Sequence, residues 1–178
     1  MSEHGYQLYI AATRPTSSGS VSLRSTDPAE HPFIRFNYLA TEEDRQFWPR
    51  AIRRAREIFA QPAFAAVDAG ETVPGPSVSD DEALLNWVRK AASSGFHPTS
   101  TCRMGVDQDA VVDPKSMRIH GVDGLRVVDA SVMPDIVSSN TYSTVMMIAE
   151  KAADLILGKA PPEPADLSHL VTDARPGT

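Results

Sequence analysis

The clearest strand-to-helix signal in the chain is LRVVDAS at residues 125–131, which precedes a helix pattern over residues 140–157. A short apolar run ending in small polar residues is typical of a buried strand, and Gly158 follows the helix pattern at the place of a C-cap. Ligands of open α/β sheets bind beyond the carboxyl ends of the strands. The stretch therefore predicts a ligand-facing edge at Asp129 and Ser131. The alternative is that Asp129 only caps a turn and Ser131 bonds locally.

The first forty residues show a different pattern, in which short runs alternate between apolar and polar side chains. Residues 6–12, 19–25 and 33–38 predict three strands, and the turn sequence PTSSG separates the first two. Alternation of this kind favours an antiparallel sheet with one solvated face.

Two helices are predicted between the strands and residue 100. The first runs from Thr41 to about Ala60, with acidic residues in its first turn and either a kink or a delayed start at Pro49. The second follows a capping-box sequence, SDDE at residues 79–82, and is expected to end near Gly95. The predicted fold class is thus α+β, an antiparallel sheet with helices followed by a strand–helix unit.

Composition narrows the class of protein without naming a function. The 178 residues carry a formal net charge of −6, with 42% hydrophobic and 22% charged residues, which argues against a nucleic-acid partner. Cys102 is the single cysteine, so no intrachain disulfide can form. The N-terminus lacks a signal-peptide pattern, and the longest apolar run spans five residues, 145–149. We expect a cytoplasmic protein without a membrane span.

The segment HPTSTCRMG at residues 97–105 gathers an imidazole, hydroxyls, a thiol and a guanidinium. Imidazole moves protons readily near neutral pH, yet a lone histidine after a helix is more often structural, so local sequence alone does not favour catalysis. A zinc site from His97, Cys102 and His120 lacks the usual ligand spacing. A Cys102–His97 hydrolase is equally disfavoured, because nothing marks an oxyanion hole.

The third polar segment is SSNT at residues 138–141, where the last helix begins. Serine and asparagine are good N-caps, which is the structural interpretation. The N-terminus of a helix also presents free N–H groups and positive potential to an electron-rich ligand atom. The two roles are compatible.

Taken together, the three segments are far more specific than any one of them. HPTSTCRMG, VVDPKSMRIHGVDGLRVVDASVMP and SSNTYSTVMMIAEKAADLI, in this order and spacing, resemble the glucose–methanol–choline (GMC) oxidoreductases. The resemblance is close over residues 97–158 and looser upstream, through RPTSSGSV at 14–21 and NYL at 37–39. It therefore covers most of the chain.

The resemblance implies an alcohol oxidoreductase that uses FAD. His97 would be the base that takes the hydroxyl proton, Asn140 would hold the developing alkoxide beside it, and hydride would pass to flavin N5. Asp129 and Ala130 would approach the diphosphate and ribitol of the cofactor. The backbone of Asn140 and Thr141 would face the pyrimidine side of the flavin. In the family either a histidine or an asparagine stands beside the base, and the asparagine at position 140 resembles the choline-oxidising branch rather than the glucose-oxidising one.

One feature of the family is missing from this sequence, the G-x-G-x-x-G turn that binds the dinucleotide. We therefore expect that a second chain, or an N-terminal region not included here, supplies the nucleotide-binding half. The implied organisation is a substrate-binding part (residues 5–100), a catalytic, FAD-contacting segment that completes an FAD-binding α/β domain (101–158), and a flexible tail (159–178). The alternative is a non-catalytic, truncated domain that acts as an interaction module.

Overall fold

The computed structural model describes residues 4–160 and 162–167. Within them the chain forms one β-hairpin and three α-helices, with short 3₁₀ turns at Pro62–Phe64 and Ala130–Val132. The elements in chain order are β1 (Ser20–Ser22), β2 (Phe33–Arg35), α1 (Glu42–Phe59), α2 (Asp81–Ala91) and α3 (Tyr142–Leu157). The predicted α+β content is confirmed at this level.

The sheet is smaller than the sequence predicted. Strands β1 and β2 pair antiparallel, with Val21 opposite Ile34, and the third expected strand, residues 6–12, is absent. An extended segment becomes a strand only when a second backbone pairs with it, and the described residues offer residues 6–12 no such partner. All six strand residues are exposed, so the expectation of a single solvated face was wrong too.

The hairpin is held closely by Gly19, which precedes β1. A Cβ at this position would lie 2.1 Å from the backbone oxygen of Arg35 and 2.7 Å from that of Phe36. No side chain fits such a gap, so glycine is required for the close approach of the two backbones.

Helix α1 begins at Glu42, and the delayed start at Pro49 was therefore wrong. Thr41 caps the helix through its hydroxyl, which accepts a hydrogen bond from the Asp44 N–H at 3.3 Å. Three acidic residues then occupy the first turn, where they stabilise the positive end of the helix dipole. A strong N-cap thus places the start seven residues before the proline, which lies inside the helix.

Asp44, in the first turn of α1, anchors the loop before β1. Its carboxylate is only 7% exposed and accepts hydrogen bonds from the backbone N–H groups of Thr16 and Ser17, both at 2.9 Å. Burial opposes ionisation, but the hydrogen bonds from Ser17 and Thr16 outweigh it and hold the pKa of Asp44 below its ordinary value.

Helix α2 differs from the prediction at both ends. Its N-cap is Asp80 rather than Ser79, and the Asp80 side chain accepts from the Ala83 N–H at 2.8 Å. The expected capping box at residues 79–82 is therefore wrong, because the third helical residue is Ala83, which has no polar side chain to bond back to the cap. The helix ends at Ala91, four residues before Gly95, because Ala92 takes an extended conformation. Helices α1 and α2 pack through a core of Ile52, Leu84 and Val88.

The predicted buried strand at residues 125–129 is not a strand. Its backbone pairs locally, with Ile119 N–H donating to the Leu125 carbonyl at 3.1 Å and Val127 N–H to the Met117 carbonyl at 3.2 Å. These bonds form a single isolated bridge, Arg118 to Arg126. The run is also less buried than expected, since Arg126, Val127 and Val128 are half-buried and Leu125 is exposed. A ladder of strands on either side is lacking in the described residues.

A second core lies beneath this segment and joins it to α3. Ile148 and Ala152 of α3 pack with residues of the preceding loops in one buried cluster: Val112, Met117, Val132, Met133, Ile148 and Ala152. Burying side chains of this size stabilises a fold by about 1.5–3 kcal/mol each. The first core is formed by residues before position 100 in the sequence and the second core by residues after it. The division into three domains stays a prediction.

Helix α3 matches the sequence prediction closely. It ends at Leu157, and Gly158 caps it in the left-handed conformation, with φ 66°. The predicted tail, residues 159–178, lies mostly outside the described residues. Residues 159–160 and 162–167 are in neither helix nor strand.

We predict that Asp44→Asn lowers the free energy of unfolding by about 1–3 kcal/mol, because asparagine keeps one acceptor oxygen and leaves one of the two backbone N–H donors without an acceptor. Glu43→Gln is the matched control, since it removes a neighbouring charge from the same turn at an exposed position. Urea denaturation measures both. Because the folded pKa is depressed, the Asp44 contribution is complete above about pH 4 and is lost as the pH falls further. Equal stability of the two variants would contradict the anchoring role.

Candidate active site

His97 lies on the irregular segment that follows α2 and precedes the second core. The residues on both sides of it include two with left-handed backbone, Phe96 with φ 58° and Ser100 with φ 72°. Side chains other than glycine rarely adopt this conformation, and such strain concentrates at functional sites. Phe96, immediately before His97, is itself 85% exposed.

The loop downstream of His97 is tied to the segment that precedes α3. Cys102 N–H donates to the Ser131 carbonyl at 3.0 Å, and Met104 N–H donates to the Val132 carbonyl at 2.8 Å. Val132 is fully buried in the core that also contains Ile148 of α3. The backbone of the histidine loop and the helix are thereby attached to the same packed unit.

The structure brings His97 and Asn140 together, although 43 residues separate them in sequence. The Asn140 Nδ2 atom lies 3.3 Å from His97 Nε2. The Thr141 hydroxyl lies 3.1 Å from the other ring nitrogen, Nδ1. Both nitrogens of the imidazole therefore face the two residues that immediately precede α3.

The orientation of the Asn140 amide is fixed by the helix itself. The Tyr142 N–H donates to Asn140 Oδ1 at 2.9 Å, so the oxygen faces the helix and the amide nitrogen faces the imidazole. The sequence predicted an N-cap role for Asn140 or a preceding serine, or a ligand role; the N-cap role was wrong, because Asn140 lies one residue before the cap and forms an Asx turn with Tyr142. Thr141 occupies the N-cap position itself, but its side chain makes no hydrogen bond that caps the helix.

Asp129 and Ala130, the other two predicted site residues, lie at the 3₁₀ turn. Asp129 Oδ1 accepts from the Ser131 N–H at 2.7 Å, which is the local turn-capping role considered as the alternative. Among the described residues, neither Asp129 nor Ala130 forms a hydrogen bond with His97, Asn140 or Thr141. The turn at Asp129 and Ala130 is connected to the His97 loop only by the backbone hydrogen bonds at Ser131 and Val132 and by the second core.

The candidate site is open to solvent. His97, Asn140 and Asp129 are exposed, and Thr141 is the one buried member, at 6% exposure. A groove of about 400 Å³ lies away from this site, between α1 and α2. It is lined mainly by charged and polar side chains such as Glu42, Arg45 and Arg89. The imidazole of His97 and the amide of Asn140 are thus paired on a surface without the walls of a pocket.

The structure does not support the two alternatives considered from the sequence, a zinc site and a Cys102–His97 hydrolase. Across residues 4–160 and 162–167, no group of three histidine, cysteine, aspartate or glutamate side chains is placed to hold a metal ion. Cys102 is a half-buried free thiol whose neighbours are apolar residues of the second core. His120 is bound elsewhere, with its Nε2 atom 3.0 Å from the Gly105 carbonyl oxygen.

The loop between His97 and the second core is braced by an ion pair. Arg103 donates two hydrogen bonds to Asp107, at 2.9 Å and 2.6 Å, in the paired geometry that arginine and carboxylates prefer. These bonds hold the pKa of Asp107 at about 2, below its ordinary value of 3.8. The carboxylate therefore remains ionised at every pH at which an enzyme ordinarily works.

Comparison with protein families agrees with the resemblance seen in the sequence. The family profile described as GMC oxidoreductase matches residues 15–149. The chain belongs to the GMC oxidoreductase family. That range includes His97, Asp129, Ala130, Asn140 and Thr141.

Individual members of the family resemble the chain in sequence and in fold. The oxygen-dependent choline dehydrogenase of Staphylococcus aureus (strain JH9) is 48% identical over 168 residues, which are 93% of this chain and 30% of that protein. The crystal structure of pyridoxine 4-oxidase from Mesorbium loti has a TM-score of 0.78 at 33% identity, covering 84% of this chain and 29% of that one. An FAD-dependent oxidoreductase from Chaetomium thermophilum has a TM-score of 0.74 at 31% identity, covering 79% and 24%.

These GMC oxidoreductases are much longer than the present chain, which spans under a third of each relative. The resemblance implied FAD as the cofactor, and this prediction is confirmed for the relatives. The Chaetomium thermophilum protein is described as FAD-dependent in its name. None of the helices in the described part of the chain has both the length and the apolar character needed to cross a membrane.

We predict that Arg103→Gln raises the pKa of Asp107 from about 2 toward its ordinary value of 3.8, because the guanidinium hydrogen bonds are lost. A carboxyl-carbon NMR titration between pH 1.5 and about 6 measures the midpoint. Arg89→Gln is the control, since the Arg89 hydrogen bond is to Asn86, on α2. An Asp107 midpoint that is the same in both variants would contradict the prediction.

Proposed function

We propose that this chain forms the catalytic-site part of an FAD-dependent oxidoreductase that acts on an alcohol, with His97 as the base. The observation that supports the proposal most strongly is the pairing of His97 Nε2 with Asn140 Nδ2 at 3.3 Å. Choline is the first substrate to test, because a relative 48% identical to the chain is named a choline dehydrogenase. Pyridoxine is the second, on the name of a structural neighbour.

The two side chains supply complementary functions to an alcohol. A hydroxyl that enters between them can donate its proton to His97 Nε2 and accept a hydrogen bond from Asn140 Nδ2. As the proton leaves, negative charge grows on the substrate oxygen, and the amide N–H stabilises it. General-base assistance of this kind contributes about 10²–10⁴ to a rate. A bound flavin supplies the acceptor for the hydride that leaves the substrate carbon.

The start of α3 fits the electron-rich edge of a flavin ring. The N–H groups of Ser143 and Thr144 lie in the first turn, so no helical carbonyl accepts from them. They point out of a helix end that carries partial positive charge and contains no acidic residue in its first turn. This supports the predicted role of the backbone near Asn140 and Thr141 as a site for the pyrimidine side of the ring.

Asp129 fits the hydroxyl groups of the ribitol better than the diphosphate. Its Oδ1 atom accepts one hydrogen bond from Ser131, and a carboxylate has capacity for several more. Hydroxyl groups can donate to it, whereas a diphosphate carries the same sign of charge and would be repelled. Ala130, half-buried beside it, would contribute only its backbone and a small side chain.

We infer that further polypeptide covers the site and part of the surface. Residues of the hairpin region expose large apolar side chains that a complete domain would bury: Val21 (51%), Leu23 (86%), Phe33 (49%), Ile34 (53%), Phe36 (52%) and Tyr38 (55%). Contiguous exposed apolar surface of this kind marks contact with other polypeptide. The source would be a second chain or an N-terminal region that carries the nucleotide-binding turn. A cytoplasmic location stays a prediction.

We predict that His97→Ala lowers the turnover of the assembled, flavin-loaded enzyme by about 10²–10⁴ while the flavin content stays the same, because the base is lost and the cofactor contacts are not. Choline oxidation with an artificial electron acceptor provides the assay. His31→Ala, at an exposed position, is the matched control and should retain full activity. Turnover that survives in His97→Ala would remove this residue from the mechanism.

We also predict that the chain purified alone does not retain stoichiometric FAD, because the G-x-G-x-x-G turn that binds the dinucleotide is not in this sequence. The visible absorption spectrum of the isolated chain measures the flavin content. Mixing it with a polypeptide that carries G-x-G-x-x-G should restore the flavin band. A full flavin band without any second polypeptide would refute the need for one.

A further inference from the structure

We propose that the Thr141 side chain is a positioning residue for His97, because it holds the proton on Nδ1 and leaves Nε2 unprotonated, as the base must be. The proposal rests on the proposed function of His97 as that base. It adds a role for a hydroxyl whose residue was otherwise assigned only through its backbone. The role follows from a series of contacts in which each donor is fixed by the one before it.

The first contact fixes the amide of Asn140. A backbone N–H can only donate, so the atom that meets the Tyr142 N–H at 2.9 Å must be the amide oxygen. The atom that faces the imidazole is therefore the amide nitrogen, Nδ2, which also can only donate. His97 Nε2 must accept from it at 3.3 Å, and a nitrogen that accepts carries no proton.

The opposite side of the ring completes the assignment. A neutral imidazole carries its single proton on one nitrogen, so an unprotonated Nε2 requires the proton on Nδ1. The atom within reach of Nδ1 is Thr141 Oγ1 at 3.1 Å, and it accepts the hydrogen bond. Three consecutive residues, Asn140, Thr141 and Tyr142, thus select one tautomer of a histidine far away in sequence.

The use of the Thr141 hydroxyl is unusual for its position in the helix. At the start of α1 the equivalent residue, Thr41, caps the helix by accepting from the Asp44 N–H at 3.3 Å. Thr141 stands at the N-cap of α3 but makes no cap hydrogen bond with its side chain. Thr141 is only 6% exposed, and its contact with His97 is partly buried. The Thr141 hydroxyl thus contacts the imidazole instead of capping the helix.

The substitutions that test this role are Thr141→Val and Thr141→Ser. Valine keeps the branched shape and removes the hydroxyl, whereas serine keeps the hydroxyl. In the flavin-loaded enzyme we expect Thr141→Val to lower kcat about 3- to 10-fold, the size of one lost neutral hydrogen bond, with little change in KM. Thr141→Ser should restore most of kcat. Equal kcat in all three proteins, or an equal loss in valine and serine variants, would overturn the proposal.

A second measurement decides the tautomer without any turnover. Long-range ¹H–¹⁵N NMR of the imidazoles reports which nitrogen carries the proton, and His97→Gln assigns the signal among the five histidines. We expect the proton on Nδ1 in the wild-type protein and a mixture of tautomers in Thr141→Val. A wild-type proton on Nε2 would overturn the proposal. If His97→Ala retained activity, the proposed base would fail, yet the spectrum would still decide whether Thr141 sets the tautomer.

Discussion

The whole candidate site depends on one packed core, in which Ile148 and Ala152 of α3 meet Val132 and Met133 of the preceding loop. The backbone of Cys102 and Met104 is hydrogen-bonded to the same loop, at Ser131 and Val132. This arrangement fixes two irregular segments and a helix end relative to each other. Without it, an imidazole on a loop and an amide at a helix start would have no reason to remain 3.3 Å apart. Precise placement of reacting groups requires such rigid support, because errors of about 1 Å cost large factors in rate.

The chemistry of the site comes from the end of a helix. The residues just before α3 provide the amide and the hydroxyl on the two sides of the His97 imidazole, and the first turn of α3 provides N–H groups that no helical carbonyl accepts. A helix end is suited to this combination, because its unpaired N–H groups need partners and are held rigidly by the turns that follow. The exposed setting of His97 and Asn140 agrees with the proposal that further polypeptide covers the site.

Sequence reasoning predicted the long elements and failed on the short ones. Helices α1 and α3 were predicted correctly because amphipathic periodicity, acidic first-turn residues and a C-terminal glycine act within one segment. The strands at residues 6–12 and 125–129 were wrong, since pairing depends on a second backbone that no local pattern specifies. The expected site residues were found through a resemblance that joins three distant motifs. The contact of the Thr141 hydroxyl could not be predicted, because threonine at a helix start ordinarily signals a cap.

What the sequence alone determined is the kind of protein: a GMC oxidoreductase segment, its long helices, and the side chains His97 and Asn140 that its motifs contain. These follow from local periodicity and from residue types in a fixed order. The tertiary structure alone decided which atoms meet, namely that the amide nitrogen of Asn140 and the hydroxyl of Thr141 lie on opposite sides of one imidazole. The physical reason is that such contacts arise from packing between residues more than forty positions apart, and packing is a property of the folded chain as a whole.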